Sequence, residues 1–388
     1  MPRPSARRIA AIEPSIFATM SRLAAEHHAV NLGQGFPDFD GPAWLVERYE
    51  HALRTDKNQY APMPGILSLR RAVAGYHRRC YDLAWNPETE ITITAGATEA
   101  LFSTMLALLD PGDEVILFEP YYDSYWANCL VTDAVPVCVT LHAPEFRIDA
   151  DALAAAITDR TRMIILNNPH NPTGRSFSLE ELEIVATCAR SHDLIVLSDE
   201  VYEFLVFDGR RHTAIASLPR MRDRTITVSS AGKTFGMTGW KVGYVLANEM
   251  FTTAIRAVHQ FAVFAVNTPA QHAVAAGLER LEHDLPDFLA RYQRKRDQLF
   301  DGLAESAFRA ILPEATYFMM VRLPEQAGGD MACATRLVTR HNVAVIPPSV
   351  FYRNSDEGTT MLRLCFAKQE ETIREGIRRL KSYGMEQP

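Results

Sequence analysis

The sequence has no run of about 18 uninterrupted apolar residues, so nothing in it is predicted to cross a bilayer as a helix. Its first fifteen residues, MPRPSARRIAAIEPS, are basic but hold no continuous apolar core, and they do not read as an export signal. Cysteine is sparse. The six that occur (Cys80, Cys129, Cys138, Cys188, Cys333 and Cys365) are dispersed, without a C-x-x-C pair or the Cys/His spacing of a metal site. That pattern argues against a disulfide framework and against a bound metal, and it fits reduced thiols in a cytoplasm. Long basic runs are also missing: 40 Lys and Arg against 47 Asp and Glu leave a net charge of −7, which removes the electrostatic footprint of a nucleic-acid binder. No internal repeat or low-complexity tract interrupts the chain. What remains is 388 residues, 47% apolar and 22% charged, an ordinary globular composition long enough for more than one core. Small-molecule chemistry is the expectation.

From about residue 90 to 250, short β-rich runs alternate with helical patterns, as βα units of a mostly parallel sheet do. ITIT (91–94) precedes AGATEALFSTMLALL, whose apolar residues recur at helical spacing, and DPGD (110–113) stops that helix. EVILFEP, MIILNNP (163–169), LIVLSDE (194–200) and TITVSS (225–230) are further apolar runs with polar ends. Ligands gather at the carboxyl ends of such strands, and these ends deliver Asn167, Asn171, Asp199, Ser230 and Lys233. After about 285 a charged helical stretch precedes TYFMMVRL and MLRLCFAK, the strands of a smaller α+β unit. The expected division is a large domain at 46–284 and a small one formed by 1–45 with 285–388.

The stretch SSAGKTFGMTGWKVG (229–243) sets Lys233 and Lys241 among small and apolar residues. GKT ends like a phosphate-binding P-loop, but the pattern needs glycine where Thr227 stands. Ser230 and Lys233 fit S-x-x-K, yet the SDN and KTG partners of that nucleophile motif are absent. GQGFPD (33–38) starts like a dinucleotide loop and ends on Asp38 instead of glycine. A lysine in apolar surroundings has its charged form disfavoured, which frees the amine as a nucleophile toward carbonyls. The bland alternative is a stem that packs while its head reaches solvent. AGATEA (95–100) lies at a strand-to-helix junction, where free N–H groups favour an anion. Asp199 ends an apolar strand, where a carboxylate needs a partner. A phosphate cradle, an aspartate for a ring cation and a nucleophilic lysine are together what pyridoxal 5′-phosphate requires of its host.

The residues that carry this combination also carry a resemblance. NLGQGFPDFDGP (31–42), NQYAPMPG (58–65), AGATEAL (95–101), NNPHNPTG (167–174), SDEVYE (198–203), SSAGKTFGMTGWKVGY (229–244) and RLCFAK (363–368) occur in order over nearly the whole chain. The sequence resembles the fold-type I, class I/II pyridoxal-phosphate aminotransferases, within them the methionine, kynurenine and glutamine aminotransferase branch. The resemblance implies an α/β fold with a mostly parallel sheet in an αβα sandwich plus a smaller α+β domain. It implies transfer of an amino group from an L-amino acid, methionine or aromatic, to a 2-oxo acid in two half-reactions.

By the same resemblance, Lys233 is the covalent anchor of the cofactor and then the carrier of the Cα proton. Asp199 faces the ring nitrogen, and Tyr202 and Asn171 face the ring hydroxyl. Tyr122 resembles the stacking plate, with Tyr121 beside it fitting the same pattern. Ala97, Thr98, Ser230 and Lys241 hold the phosphate, and Tyr60 reaches the phosphate of a neighbouring subunit, which implies a homodimer. Arg363, Asn171 and Gly35 receive the substrate carboxylate. A cysteine-S-conjugate β-lyase and a non-catalytic sensor domain are the alternatives; the second needs a DNA-binding module that the residues before Pro14 are too few to form.

Overall fold

A computed structural model gives the placement of residues 6, 8–12 and 14–383. The outermost residues of the expected small domain, 1–5 and 384–388, lie outside those described. Twelve strands occur among them: β1 Val30–Asn31, β2 Ile91–Thr94, β3 Glu114–Glu119, β4 Val135–Thr140, β5 Thr161–Asn167, β6 Ile195–Asp199, β7 Thr225–Ser230, β8 Gly243–Leu246, β9 Arg309–Ala310, β10 Phe318–Arg322, β11 Val343–Ala344 and β12 Met361–Cys365. Seven of them form one sheet in the order β2-β8-β7-β6-β5-β3-β4, in which only β8 runs against the others.

The apolar runs of β3, β5, β6 and β7 follow from burial on both faces. Alternate side chains point to opposite sides of a strand. Ile116, Ile164, Leu166 and Val196 therefore pack with Leu182, Val185 and Ala189 of helix Leu179–Ser191 on one side. Val115, Leu117, Ile165, Leu197 and Val228 pack with Leu101 and Met105 of helix Gly96–Leu108 and with Ile255 of helix Glu249–Ala262 on the other. Helices cover both faces, which is the α/β sandwich that the alternating pattern predicts.

A second core surrounds the antiparallel sheet β12-β10-β9. Helices Ile16–Glu26, Asp330–His341 and Glu370–Ser382 contribute Met20, Leu337 and Ile373 to it. The N-terminal segment joins through β1, which pairs in parallel with β11, and through the Leu32 carbonyl, which accepts from the Cys365 amide at 2.7 Å. Helix Thr268–Gly302 serves both cores: Val274 and Leu278 pack beside the large sheet, Tyr292 and Leu299 beside the small one. Its 35 residues span about 52 Å and include Pro286, so the division expected at 284/285 falls inside a continuous helix.

Register now positions chemistry. Asn167 lies beside Asp199, and Asp199 beside Val228, two residues before Ser230. Three strand ends thus open at one edge, and the helix carrying Lys233, Ala231–Thr234, begins where β7 stops.

Candidate active site

A cavity of about 350 Å³ sits over these strand ends, within the size range of small-molecule sites. Gly35, Ala97, Thr98, Tyr122, Asn171, Asp199, Tyr202, Ser230, Lys233, Lys241 and Arg363 all line it. Tyr60 does not: its side chain is 83% exposed, stacked edge-on against Phe264 at 5.4 Å. Of the two adjacent tyrosines, Tyr122 faces the cavity, while Tyr121 lies parallel to Trp126 at 5.9 Å.

At one end, helix Gly96–Leu108 starts without any side-chain cap, so its leading N–H groups and the positive end of its dipole are free to meet an anion. Lys241 Nζ lies 3.3 Å from the Thr98 hydroxyl, and Ser230 is close by at the end of β7. Gly96 has φ +74, and a Cβ there would stand 3.1 Å from Lys241 Nζ, so only glycine leaves this approach open. Amides, hydroxyls and an ammonium are the donor set that a phosphate takes.

Asp199 is 3% exposed and accepts from the Tyr125 hydroxyl at 2.6 Å and from the Val201 amide at 3.3 Å. Burial raises its pKa to about 6 despite those bonds and the nearby Lys233, so the site rewards a cation placed against this carboxylate. Asn167 braces the same corner, donating to the Asp199 carbonyl at 2.9 Å and accepting from the Asn171 amide at 2.8 Å.

Lys233 Nζ donates to the Tyr317 hydroxyl at 2.7 Å and to the Gly35 carbonyl at 3.2 Å. Burial lowers its pKa to about 8, leaving a substantial neutral fraction near neutrality and above. Tyr202 is buried, with its ring edge-on to that of Tyr317 at 5.1 Å.

Arg363 closes the other end. It is 1% exposed, donates to Asn171 Oδ1 at 3.0 Å and to the Gly33 carbonyl at 2.9 Å, and its guanidinium lies 4.1 Å from the Phe318 ring centroid. Its Nε is buried without a hydrogen-bond partner. The main chain of β12 is fixed on both sides, by antiparallel pairing with β10 on one and by bonds of the Arg363 amide and carbonyl with Ile346 on the other. Gly35 stands beside it, and a Cβ there would come within 2.8 Å of Phe318 Cζ.

These features fit pyridoxal 5′-phosphate: an anion cradle, a buried carboxylate lacking a cation, and a partly neutral lysine in one cavity. Tyr125, Tyr317 and Phe318 are the residues that sequence reasoning missed. Tyr125 stands three residues after Tyr122 in EPYYDSY (119–125), a helical spacing that puts both on one side. Tyr317 and Phe318 read there only as strand residues. Among the described residues, no group of three or more His, Cys, Asp or Glu is placed to hold a metal ion, and no helix is long and apolar enough to cross a membrane.

Comparison with known proteins agrees with this geometry. The family model for aminotransferase class I and II matches residues 27–380. Methionine aminotransferase of Escherichia coli is 43% identical over 371 residues, covering 95% of each chain. Kynurenine–oxoglutarate transaminase 1 of Homo sapiens is 35% identical over 415 residues, covering 98% of each. The solved N-succinyldiaminopimelate aminotransferase from Mycobacterium tuberculosis superposes with a TM-score of 0.94 at 40% identity, over 97% of this chain and 99% of that one.

Proposed function

Because this chain belongs to the class I and II aminotransferases and is itself an aminotransferase, we propose that its amino donors are L-amino acids with uncharged side chains, methionine or aromatic. One observation carries this reading: among the described residues Arg363 is the only arginine lining the cavity, whose remaining wall includes Phe17, Phe36, Leu101, Val201 and Phe318. One buried guanidinium matches one carboxylate, by a planar two-point contact. A donor with a second carboxylate leaves that charge among aromatic and aliphatic groups, which is costly. Arg54 lies exposed at the end of helix Ala43–Arg54 and lines no part of the cavity. The similarity to the methionine and kynurenine enzymes supports the same substrate class.

Pyridoxal 5′-phosphate, when bound, supplies a carbonyl that takes up the amino group and a ring that draws electron density from the donor Cα. The chain's own residues do the rest. Lys233 Nζ would be the covalent anchor and, as a free amine, would carry the proton lost from the donor Cα to the cofactor carbon that takes up the amino group. Asp199 presents its carboxylate to a ring cation, and Tyr125 keeps that carboxylate aimed. Tyr202 and Asn171 would offer polar groups to the ring hydroxyl, and Tyr122 would pack on the ring. Ala97, Thr98, Ser230 and Lys241 would hold the phosphate, joined by Tyr60 from a second copy of the chain. Arg363, with Asn171 and Gly35, holds the donor carboxylate. The small domain, built of the N-terminal segment and the C-terminal residues, brings Gly35 and Arg363 to the cofactor.

A panel of donors tests the substrate class, each mixed with loaded enzyme and followed by the absorbance change of the first half-reaction. Methionine, phenylalanine, tyrosine, glutamine and kynurenine are expected to react at least about tenfold faster at equal concentration than aspartate or glutamate, the discrimination of one uncompensated charge. Faster reaction with a dicarboxylate refutes the assignment.

A further inference from the structure

Three atoms form a closed hydrogen-bonded triangle at the edge of the cavity. Lys233 Nζ donates to Tyr317 Oη at 2.7 Å and to the Gly35 carbonyl at 3.2 Å, and Tyr317 Oη donates to that same carbonyl at 2.6 Å. Its polarity is fixed by chemistry. A carbonyl oxygen only accepts, so the single phenolic proton goes to Gly35, and the phenol is left to accept from the lysine.

A neutral amine has two N–H bonds and one lone pair. Both N–H bonds are taken by the triangle, so the lone pair faces away from Tyr317 and Gly35. Tyr317 cannot swing out of this arrangement: it is 1% exposed, and its ring is held by Tyr202 at 5.1 Å and Phe318 at 4.8 Å. Burial holds its phenol well above the usual tyrosine range, so the proton needed for the bond to Gly35 is retained at working pH. Gly35 is held in turn, because the following residue's carbonyl, that of Phe36, accepts from Lys368 Nζ at 2.7 Å.

We propose that Tyr317 is a positioning residue for Lys233: its phenol and the Gly35 carbonyl form a dock that takes up the lysine amine whenever it is free, and keep its lone pair available to a proton. This rests on the reading of Lys233 as anchor and proton carrier. When the lone pair takes a proton, the resulting ammonium keeps its other two N–H bonds on the dock, where charge strengthens them. The proton is thereby held beside the cavity instead of being lost with a swinging side chain. The dock also joins the two cores, since Lys233 follows β7 while Tyr317 precedes β10 and Gly35 follows β1.

The test uses Tyr317→Phe, which keeps the ring and removes the acceptor. In cofactor-free protein, Lys233 is labelled by reductive methylation across a pH series and quantified by peptide mass mapping. The other ionisable groups facing Lys233 are Cys365, Asp199, Arg363, Lys241 and Tyr202, and all are retained. The labelling midpoint is expected to fall by about one pH unit, because the ammonium loses a charge-assisted acceptor. In loaded enzyme, the donor half-reaction is expected to slow about tenfold with a larger α-deuterium isotope effect and unchanged donor KM. An unshifted midpoint, or a wild-type rate with a wild-type isotope effect, overturns the proposal. Should Tyr317→Phe fail to fold, 3-fluorotyrosine placed at 317 keeps the shape and weakens the acceptor; it must shift the same midpoint downward by a few tenths of a unit, and no shift again overturns the proposal. Lys233→Ala separates the two readings. Amino transfer without Lys233 refutes its role as anchor, whereas loss of transfer there with no effect at Tyr317 refutes only the dock.

Discussion

Arg363 Nη1 donates to Asn171 Oδ1 at 3.0 Å across 192 positions of sequence, joining a strand of the small sheet to the loop that follows β5. That bond and the one to the Gly33 carbonyl fix the guanidinium where Arg363 lines the cavity. The pair is preorganised before any substrate arrives, which lowers the ordering cost of binding.

Arg363→Lys is therefore expected to behave as a severe change. A lysine offers a point charge in place of the planar fork and cannot serve Asn171, Gly33 and a carboxylate together. Steady-state kinetics should show kcat/KM for the amino donor down at least about thirtyfold, near 2 kcal/mol, with most of the loss in KM. A KM within twofold of wild type counts against Arg363 as the carboxylate site.

Asp199 makes a prediction about stability in the cofactor-free protein. Its folded pKa of about 6 lies above the ordinary aspartate value of 3.8, so between those limits the folded state binds more protons than the unfolded one. Stability contributed by this group is therefore present below about pH 4 and falls as pH rises toward 6, by an amount on the order of 3 kcal/mol at most. Asp199→Asn removes that decline. Urea unfolding at pH 4 and pH 6.5 should give a larger loss for wild type than for the variant; equal losses refute the assignment.

Much of this arrangement was legible in the chain. β5, β6 and β7 are apolar runs ending in polar residues because both faces of a central strand are buried and the open end meets the ligand; Asn167, Asp199 and Ser230 stand at those ends. The two lysines of SSAGKTFGMTGWKVG line the same cavity from different sides, Lys233 toward Tyr317 and Lys241 toward Thr98. Other parts leave no local signal. The pairing of β1 with β11 involves two residues on each strand, more than 300 positions apart, so no periodicity marks it. Tyr317 looks like any strand aromatic, and its role depends on a partner 84 positions away.

Lys241 offers a test of the proposed phosphate end of the site. Its Nζ is the cation at the uncapped start of helix Gly96–Leu108, remote in function from Asp199 and Lys233. Lys241→Met should weaken pyridoxal 5′-phosphate binding about tenfold or more while leaving the weaker binding of pyridoxal, which has no phosphate, unchanged. Spectroscopic titration of cofactor-free protein with both compounds measures the two affinities. Equal weakening of both assigns Lys241 to another part of the site.

Tyr60 makes the subunit prediction. It is 83% exposed and stands edge-on against Phe264, itself 44% exposed, an aromatic cluster turned to solvent in a single chain and away from the cavity of that chain. Such a cluster is the apolar anchor that an interface buries. If a second copy covers it and receives Tyr60 at its own phosphate end, each complete site draws Lys233 from one chain and Tyr60 from the other. Tyr60→Ala and Lys233→Ala should then each be weak or inactive alone. A mixed dimer of the two variants holds one site with both substitutions and one with neither. Co-expression with two affinity tags isolates that dimer, and its activity should approach half that of wild type. Were Tyr60 to serve its own chain, every site in the mixed dimer would carry one substitution, and no activity would return beyond that of the parent variants.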